Sequence, residues 1–446
     1  MTDLYQLTMN AAYVEREKDG EATFELFIRK LPKDWGYFIA NGVEDAINYA
    51  TNIHFTKEHI DYLRKQGLFS QRFLDFLKGF KFEGDIWTVR EGTPVFPNTP
   101  ILRVTGNRTQ SQFLETLLLN TINFQTMITS KSSRIVNAAN GRTSVEFGLR
   151  RAQEMDAAMK GARASYIAGF AATSNVLAGM EYGIPISGTH AHSFVMSFPT
   201  ELEAFRAYAK TFPNNPTFLI DTYDVEQGAR NAVVVGKELE LNGGRLGAVR
   251  LDSGDLCQDS QKVRRILDEA GLTHVKVVAS NDLNEYRIAE LLANGAKIDA
   301  FGVGTENITA KPVAAIPGVY KLVEDGEGVK MKFSSEKKSY PGKKQVFRVS
   351  NEDGTYAYDT LGLEGENILG SQPLLELVVK NGKRVSVRRS LEETRKYCLE
   401  LVEKLPRHLK EVVVTTPYEL RISSKLDKLT KEVVDKLSST QVRGST

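Results

Sequence analysis

The chain has 446 residues, of which 41% are hydrophobic and 26% charged, and its net charge at pH 7 is +2. This length predicts two or three domains, and the composition is that of a soluble globular protein. The small net charge argues against nucleic acid or a membrane surface as partner, and no apolar run approaches the roughly 20 residues of a membrane span. Two cysteines cannot form a disulfide framework, and the N-terminus lacks a signal-peptide pattern. We therefore expect a cytoplasmic enzyme.

The first zone, residues 1–110, mixes short strands with helices. Residues 24–28 alternate like a half-buried strand, residues 84–95 are typical of a second strand pair, and residues 59–80 have helical spacing.

In the middle zone, residues 111–310, predicted strands alternate with predicted helices after a long helix over residues 110–139. Predicted strands cover residues 144–147, 184–187, 217–220, 247–251, 275–279 and 298–301. Predicted helices between them include residues 201–211, 226–239, 260–270 and 285–293. Such alternation indicates a parallel sheet, open or closed into a barrel.

Polar residues or glycines follow nearly every one of these predicted strands. They occupy residues 148–150, 188–192, 221–224, 252–255, 280–282 and 302–305. In α/β barrels the carboxyl ends of the strands carry the substrate-binding and catalytic groups. We therefore predict a barrel-like catalytic domain over residues 111–310 with its site at that edge.

The third zone, residues 311–446, is β-rich and then helical. Asp-Gly or Asn-Gly pairs at residues 325–326, 353–354 and 381–382 predict three tight hairpins, and helices are expected over residues 391–405 and 426–437. We expect this zone to pack against the first one.

Two of the loops suit phosphate and ribose. Residues 302–305 (Gly-Val-Gly-Thr) let backbone N–H groups approach a phosphate, although such loops are about as often plain tight turns. Arg250 and Asp252 are two residues apart and face the same side of an extended strand end. A cation for phosphate beside an acid for ribose hydroxyls or Mg²⁺ suits a phosphoribosyl diphosphate, and a local ion pair is the alternative.

Residues 188–193 contain two of the six histidines, His190 and His192. A zinc site is the first alternative, but no third ligand has a recognised spacing. A histidine at this edge near an acid such as Asp221 could instead be a nucleophile or proton carrier, and we favour that interpretation.

Aromatic and basic residues complete the candidates. Tyr5 and Phe147 could stack on a flat ring and Arg150 could bind a carboxylate, although Phe147 alone is more often a core residue. A basic stretch that is either a solvated face or an anion site contains Lys330, Lys332, Lys337, Lys338, Lys343, Lys344 and Arg348.

The chain resembles the nicotinate phosphoribosyltransferases along most of its length. The resemblance rests on residues 2–9, 123–126, 146–153, 172–179, 187–193, 221–224, 250–255, 279–282, 302–305 and 341–345. It implies an α/β fold, with an incomplete α/β barrel beside an α/β sandwich domain built from the N- and C-terminal segments. It also implies a homodimer with Tyr5 contributed across the interface.

The implied reaction joins nicotinate to phosphoribosyl pyrophosphate (PRPP), with Mg²⁺, in NAD salvage. ATP hydrolysis is coupled to it through a phosphohistidine, which is His192 here, oriented by Asp221. Asp252 completes the implied catalytic set. The residues expected around nicotinate are Tyr5, Phe147, Arg150, Ser174 and Gly188. Those expected around PRPP are Arg250, Asp252, Ser253, Gly254, Asn281, Asp282, Gly302, Gly304 and Thr305.

Four other functions stay open at this point. Nicotinamide phosphoribosyltransferases place an acid near the ring amide, whereas the matching residues here are Ser174 and Asn175, which favours nicotinate. Quinolinate phosphoribosyltransferases are shorter and do not need the histidine motif. A phosphate-sensing protein without activity, or a metal-dependent hydrolase that uses His190 and His192, would belong to a different class.

Overall fold

The computed structural model of the chain describes residues 2–332 and 339–443. Two compact units are present. One contains the residues up to Met127 together with those from Ala315 onward, and the other is the continuous stretch Ile128–Ala314. Among the described helices, none has the length and apolar character that crossing a bilayer requires.

The helices are α1 (Leu4–Glu15), α2 (Val43–Thr51), α3 (Lys57–Gln66), α4 (Gln71–Lys78), α5 (Arg108–Phe113), α6 (Glu115–Ala138), α7 (Glu154–Ile167), α8 (Val176–Tyr182), α9 (His192–Met196), α10 (Glu201–Thr211), α11 (Val225–Leu241), α12 (Leu256–Glu269), α13 (Glu285–Ala293), α14 (Thr305–Ile308), α15 (Leu391–Glu403) and α16 (Ser424–Arg443). The strands are β1 (Glu21–Ile28), β2 (Phe38–Ile39), β3 (Asp85–Thr88), β4 (Pro94–Val95), β5 (Pro100–Asn107), β6 (Thr143–Glu146), β7 (Ala172–Thr173), β8 (Thr217–Leu219), β9 (Ala248–Leu251), β10 (Lys276–Ala279), β11 (Ala300–Val303), β12 (Gly318–Asp325), β13 (Gly328–Val329), β14 (Lys344–Ser350), β15 (Tyr356–Leu363), β16 (Ser371–Pro373), β17 (Glu376–Lys380), β18 (Lys383–Arg384) and β19 (Leu420–Ile422).

The continuous unit is built on a curled parallel sheet of six strands in the order β7-β6-β11-β10-β9-β8. Each neighbouring pair is parallel, so the carboxyl ends of all six strands lie at one edge. The outer strands β7 and β8 are not paired with each other in this order, which leaves the barrel incomplete. The predicted α/β fold class is confirmed.

The core of this unit is formed by the apolar residues of the strands and by one face of each helix. Phe218 of β8 stacks on Phe205 of α10 with ring centroids 4.7 Å apart, and both are fully buried. Burying aromatic side chains of this size contributes roughly 2–3 kcal/mol each, before the entropy of ordering them is subtracted.

Several polar residues after the strands have a structural task. Asp224, Asp255 and Asn284 are the N-caps of α11, α12 and α13, and each side chain accepts backbone N–H bonds of 2.8–3.1 Å. Such caps stabilise a helix by about 1 kcal/mol. The polar residues at this edge therefore include helix caps as well as candidate site residues.

The discontinuous unit holds a sheet in the order β13-β12-β1-β5-β3-β17-β18 and a second in the order β16-β14-β15-β19. The three predicted hairpins are confirmed as the antiparallel pairs β12/β13, β14/β15 and β17/β18. At the last turn Asn381 and Gly382 have φ of 50° and 72°, the left-handed values that such a two-residue turn requires.

The structure differs from the predicted elements at five places, the first being the helical stretch over residues 59–80, which is divided into α3 and α4. Residues 184–187 form one parallel bridge, between Ile186 and Thr173, and the outer strand is instead β7, which was not predicted. The helix expected over residues 110–139 is divided into α5 and α6 at Leu114. The strands β3 and β4 pair with other strands and not with each other. Strand β11 extends to Val303, because Gly302 pairs with Val145 of β6.

Candidate active site

The loops after β8 and β9 are joined through one carboxylate. Oδ2 of Asp221 accepts the backbone N–H of Asp252 at 2.7 Å and the hydroxyl of Ser253 at 2.6 Å. Its other oxygen, Oδ1, is buried and has no hydrogen-bond partner within the described part of the chain. Asp221 thus fixes the loop predicted to bind PRPP and keeps one acceptor oxygen unused.

His192 lies at the beginning of α9, where its ring contacts two loops. Nδ1 is 3.1 Å from Oγ1 of Thr222, and Nε2 is 3.8 Å from Oδ2 of Asp252. The ring is more than a third exposed, so it is open to a ligand. Thr222 and Asp252, rather than Asp221, are therefore the side chains that the structure brings to this ring.

His190 has a different environment although it is only two residues away. Its ring is buried beside Phe194 and Tyr208, and Nε2 accepts the backbone N–H of Leu219 at 3.3 Å. Burial lowers the pKa of His190 to about 4, so the ring is neutral at physiological pH. Within residues 2–332 and 339–443, no group of three or more His, Cys, Asp or Glu side chains could hold a metal ion. His190 is buried against aromatic rings and His192 is exposed at the beginning of α9, so the described residues give the zinc alternative no support.

Arg250 and Asp252 face the same side of the strand end, as predicted. Nη1 of Arg250 is 3.5 Å from Oδ1 of Asp252, and both groups contact the hydroxyl of Ser280. Nη2 of Arg250 donates to the backbone oxygen of His190 at 3.0 Å. The local ion pair is present, but at 3.5 Å it leaves donors on the guanidinium available for an anion.

The loops after β9 and β10 have an unusual backbone. Gly254 has a φ of 75°, and the non-glycine residues Asn281 and Asp282 have φ of 90° and 43°. Left-handed conformations cost non-glycine residues on the order of 1–3 kcal/mol and concentrate at functional sites. Their position beside Ser280, which bonds Asp252, supports a shared site.

Phe147 lies directly over β11. A Cβ atom placed on Gly302 would be 2.4 Å from Cε2 of the Phe147 ring, and one on Gly304 would be 3.1 Å from the Phe147 backbone oxygen. Glycine at both positions therefore permits the close approach of this loop. Gly302 belongs to the strand, so the candidate phosphate loop begins at Gly304 and continues into Thr305, the first residue of α14.

The remaining predicted nicotinate residues are divided between the two units. Arg150 is exposed in a short 3₁₀ helix, Ser174 is half-buried after β7, and Gly188 is exposed with open space around it. Tyr5 belongs to α1 in the discontinuous unit and is 47% exposed. Sequence reasoning gave no individual role to Glu146, Thr222 and Ser280, although it placed the last two in polar segments at the carboxyl edge. Their positions next to predicted site residues were the only available signal.

The basic stretch is largely neutralised in the described residues. Lys330, Lys343, Lys344 and Arg348 all lie within 4 Å of a carboxylate oxygen, and the last two are buried with Glu25 and Asp359 respectively. Lys337 and Lys338 lie outside the described residues. The paired members support a structural role in place of an anion site.

Comparison with known proteins identifies the family. Models of the nicotinate phosphoribosyltransferase (NAPRTase) N-terminal domain, family and C-terminal domain match residues 1–123, 143–313 and 369–430. A nicotinate phosphoribosyltransferase of Mycobacterium tuberculosis is 44% identical over 428 residues, covering 95% of this chain and 91% of the relative. One from Bacillus subtilis is 44% identical over 381 residues, covering 82% and 76%.

A solved structure gives the same result for the fold. The crystal structure of human nicotinic acid phosphoribosyltransferase has a TM-score of 0.86 to this chain at 28% identity, covering 97% of this chain and 99% of the human one. The segment that the family model matches, residues 143–313, includes every loop at the carboxyl edge of the parallel sheet. The chain belongs to the nicotinate phosphoribosyltransferase family.

Proposed function

We propose that this chain transfers the phosphoribosyl group of PRPP to nicotinate, releasing nicotinate mononucleotide and pyrophosphate in NAD salvage. The observation that carries the proposal is the meeting of His192, Asp221, Arg250 and Asp252 at the carboxyl edge of one parallel sheet. Two free cysteines agree with a reaction in a reducing compartment such as the cytoplasm. We also propose a homodimer in which Tyr5 reaches the site of the other copy.

In the proposed reaction, a bond forms between the ring nitrogen of nicotinate and C1′ of the ribose while the C1′–pyrophosphate bond breaks. The ring nitrogen attacks with its own lone pair, so no protein base is needed. The protein's task is to orient the reactants and stabilise the departing negative charge. Arg250 supplies a positive charge from a largely buried position, where an electrostatic interaction is stronger than in water.

Residues of the loops at the carboxyl edge of the sheet would make the contacts with both substrates. Asp252, Ser253 and Gly254 would bind the ribose and diphosphate, and Asn281 and Asp282 would assist at the ribose. Gly304 and Thr305 would hold the 5′-phosphate, and Gly302 would leave room for the Phe147 ring beside them. Around nicotinate, Phe147 would stack on the ring with Tyr5, Arg150 would pair with the carboxylate, and Ser174 and Gly188 would complete the wall.

The residues present fit a Mg²⁺ ion that arrives with PRPP. Mg²⁺ is usually held by one or two carboxylates together with substrate phosphates, and Oδ1 of Asp221 is a buried acceptor without a hydrogen-bond partner among the described residues. Asp221 and Asp252 would hold the ion. When bound, Mg²⁺ neutralises part of the charge on the leaving pyrophosphate.

ATP enters the proposal through His192. The terminal phosphoryl group of ATP would move to a ring nitrogen of His192, releasing ADP, and would later be passed to water. A phosphoryl group there adds negative charge close to Asp252 and the bound diphosphate, which would reorganise the site and shift its affinities. Asp221 would act on His192 indirectly, through the loop that carries Asp252.

The decisive assay offers the purified protein PRPP and Mg²⁺ with either nicotinate or nicotinamide, each with and without ATP. Mononucleotide formed from nicotinate and accelerated by ATP supports the proposal. Product from nicotinamide in preference to nicotinate would transfer the assignment to nicotinamide phosphoribosyltransfer. Lack of product from both would refute the enzymatic assignment.

A further inference from the structure

Glu146, the last residue of β6, is a buried carboxylate that the proposed reaction does not use. It is 1% exposed, and both of its oxygens accept hydrogen bonds. Oε1 accepts the backbone N–H of Gly148, and Oε2 accepts the hydroxyl of Thr173 at 2.6 Å. Both donors are neutral, and burial raises the pKa of Glu146 above its ordinary value. Burying a carboxylate costs free energy unless hydrogen bonds or an opposite charge offset it, and here only two neutral donors do so.

The two donors lie in the two chain segments expected to hold nicotinate, Gly148 in the loop after β6 and Thr173 at the end of β7. Gly148 lies between Phe147 and Arg150, and Thr173 directly precedes Ser174. The backbone adds a further link, because the N–H of Ser174 donates to the backbone oxygen of Glu146 at 2.9 Å. One residue thus joins the end of β6 to the end of β7.

The hydroxyl of Thr173 also positions the segment that begins at Ser174. Oγ1 of Thr173 donates to Glu146 and accepts the backbone N–H of Asn175 at 3.0 Å. Asn175 in turn is the N-cap of α8, where its Oδ1 accepts the backbone N–H of Ala178 at 3.1 Å. The carboxylate therefore fixes a continuous chain of contacts from the first loop to the helix that follows the second.

The first loop fits closely over the carboxylate. A Cβ atom on Gly148 would be 2.7 Å from Oε1 of Glu146 and 2.5 Å from Cβ of Ile308. Only a carboxylate offers two acceptor oxygens at this place, since a glutamine amide replaces one of them with a donor. The close fit requires glycine at residue 148, and the two hydrogen bonds require two acceptor oxygens at residue 146.

We propose that Glu146 is a positioning residue for nicotinate: it holds the loop of Phe147 and Arg150 at a fixed distance from the loop of Ser174. This inference rests on the proposed function. It predicts that disturbing Glu146 changes the recognition of nicotinate much more than that of PRPP, because the carboxylate accepts its hydrogen bonds from segments that carry predicted nicotinate residues.

The test compares Glu146→Gln and Thr173→Val with the wild type, measuring kcat and the KM of each substrate. Losing one hydrogen bond to a buried carboxylate should raise the KM for nicotinate about tenfold, with the KM for PRPP within about twofold of the wild type. Thr173→Ser, which keeps the hydroxyl, should restore the wild-type KM. Glu201→Gln is the matched control, because Glu201 is a buried carboxylate of the same unit that is bonded to Asn231.

A second measurement is independent of activity. Hydrogen exchange of residues 147–152 and 174–178 should rise in Glu146→Gln and stay unchanged in residues 221–224. An equal rise in both KM values, or an unchanged nicotinate KM in folded Glu146→Gln or Thr173→Val, overturns the inference. If the wild type itself makes no mononucleotide from nicotinate, the proposed function fails instead, and the exchange experiment alone then decides whether Glu146 fixes the two loops.

Discussion

Nδ1 of His192 lies 3.1 Å from the hydroxyl oxygen of Thr222, while Nε2 of the same ring lies 3.8 Å from a carboxylate oxygen of Asp252. A hydroxyl can donate or accept, so Thr222 can hold the ring in either neutral tautomer. The contact occupies Nδ1 and directs Nε2 towards the loop that carries Asp252. Nε2 is therefore the atom that we expect to receive the phosphoryl group of ATP.

Thr222→Val should weaken the coupling to ATP. Removing the hydroxyl releases the ring from one orientation, and a net hydrogen-bond contribution of about 1 kcal/mol corresponds to a loss of roughly fivefold in ATP-dependent stimulation. The rate without ATP should change little. Thr222→Ser should behave like the wild type, and His192→Ala should remove the stimulation entirely. Full stimulation in His192→Ala would contradict the assignment of this histidine.

Gly302→Ala should impair nicotinate recognition with little loss of stability. The new Cβ would approach Cε2 of Phe147 to 2.4 Å, so the half-buried ring must move, and a ring can rotate away more easily than backbone can. We expect the KM for nicotinate to rise about tenfold and the free energy of unfolding to fall by about 1 kcal/mol. Gly326→Ala is the control, because a Cβ there meets nothing within 4 Å. An unchanged KM would show that the Phe147 ring does not contact nicotinate.

Ser174→Asp should reverse the preference between the two pyridine substrates. A carboxylate at this half-buried position would repel the carboxylate of nicotinate and could accept a hydrogen bond from the amide of nicotinamide. We expect kcat/KM for nicotinate to fall at least tenfold, an effect of about 1.4 kcal/mol. Ser174→Asn is the uncharged control. Asn175 is the less useful position, because its side chain already caps α8. A preserved preference for nicotinate in Ser174→Asp would place the ring elsewhere.

Asn307→Ala should weaken PRPP binding and stability together. Asn307 is fully buried in α14, where it accepts from Ser132 at 2.7 Å and donates to Ser165 at 2.8 Å. The variant leaves two buried hydroxyls without this partner, which should lower the free energy of unfolding by about 1–3 kcal/mol. Because Thr305 begins the same short helix, the KM for PRPP should rise more than that for nicotinate. Asn351→Ala, in an exposed turn, serves as control. A greater effect on nicotinate would contradict the assignment of this loop.

His190 should make the stability of the protein fall on mild acidification. Its pKa is about 4 in the folded protein and 6.5 ordinarily, so protons bind the unfolded chain more tightly. The contribution is complete above pH 6.5 and is lost as the pH falls from 6.5 through 4, with a total on the order of 3 kcal/mol. His190→Gln lacks this titration, so its deficit relative to the wild type in urea unfolding should shrink between pH 7 and pH 5. A deficit that stays constant over this range would refute the prediction.

Local sequence patterns correctly predicted much of the architecture. Helices α10 and α13 have the predicted bounds, and the three hairpins form where Asp-Gly and Asn-Gly pairs stand. Each of these features depends on residues that are close in the sequence, through helical periodicity, capping or turn conformation. The pairing of Arg250 with Asp252 belongs to the same class, since alternation along one strand end sets it.

Other features depend on contacts between distant residues. Residues 184–187 have the composition of a strand, yet they form a single parallel bridge, between Ile186 and Thr173 on the outer side of β7. His190 and His192 are equally polar in sequence, but aromatic packing buries the first and the beginning of α9 exposes the second. No local pattern distinguishes them.

By itself the sequence determined the α/β class, the order of most elements and the edge of the sheet where polar groups gather. The tertiary structure alone decided which of those groups meet: Thr222 at the ring of His192, Asp221 at the loop of Asp252, and Glu146 between the ends of β6 and β7. The reason is physical. Periodicity and turn chemistry act over a few residues, whereas these contacts join side chains about 30 positions apart, which are brought together only when parallel strands align their carboxyl ends.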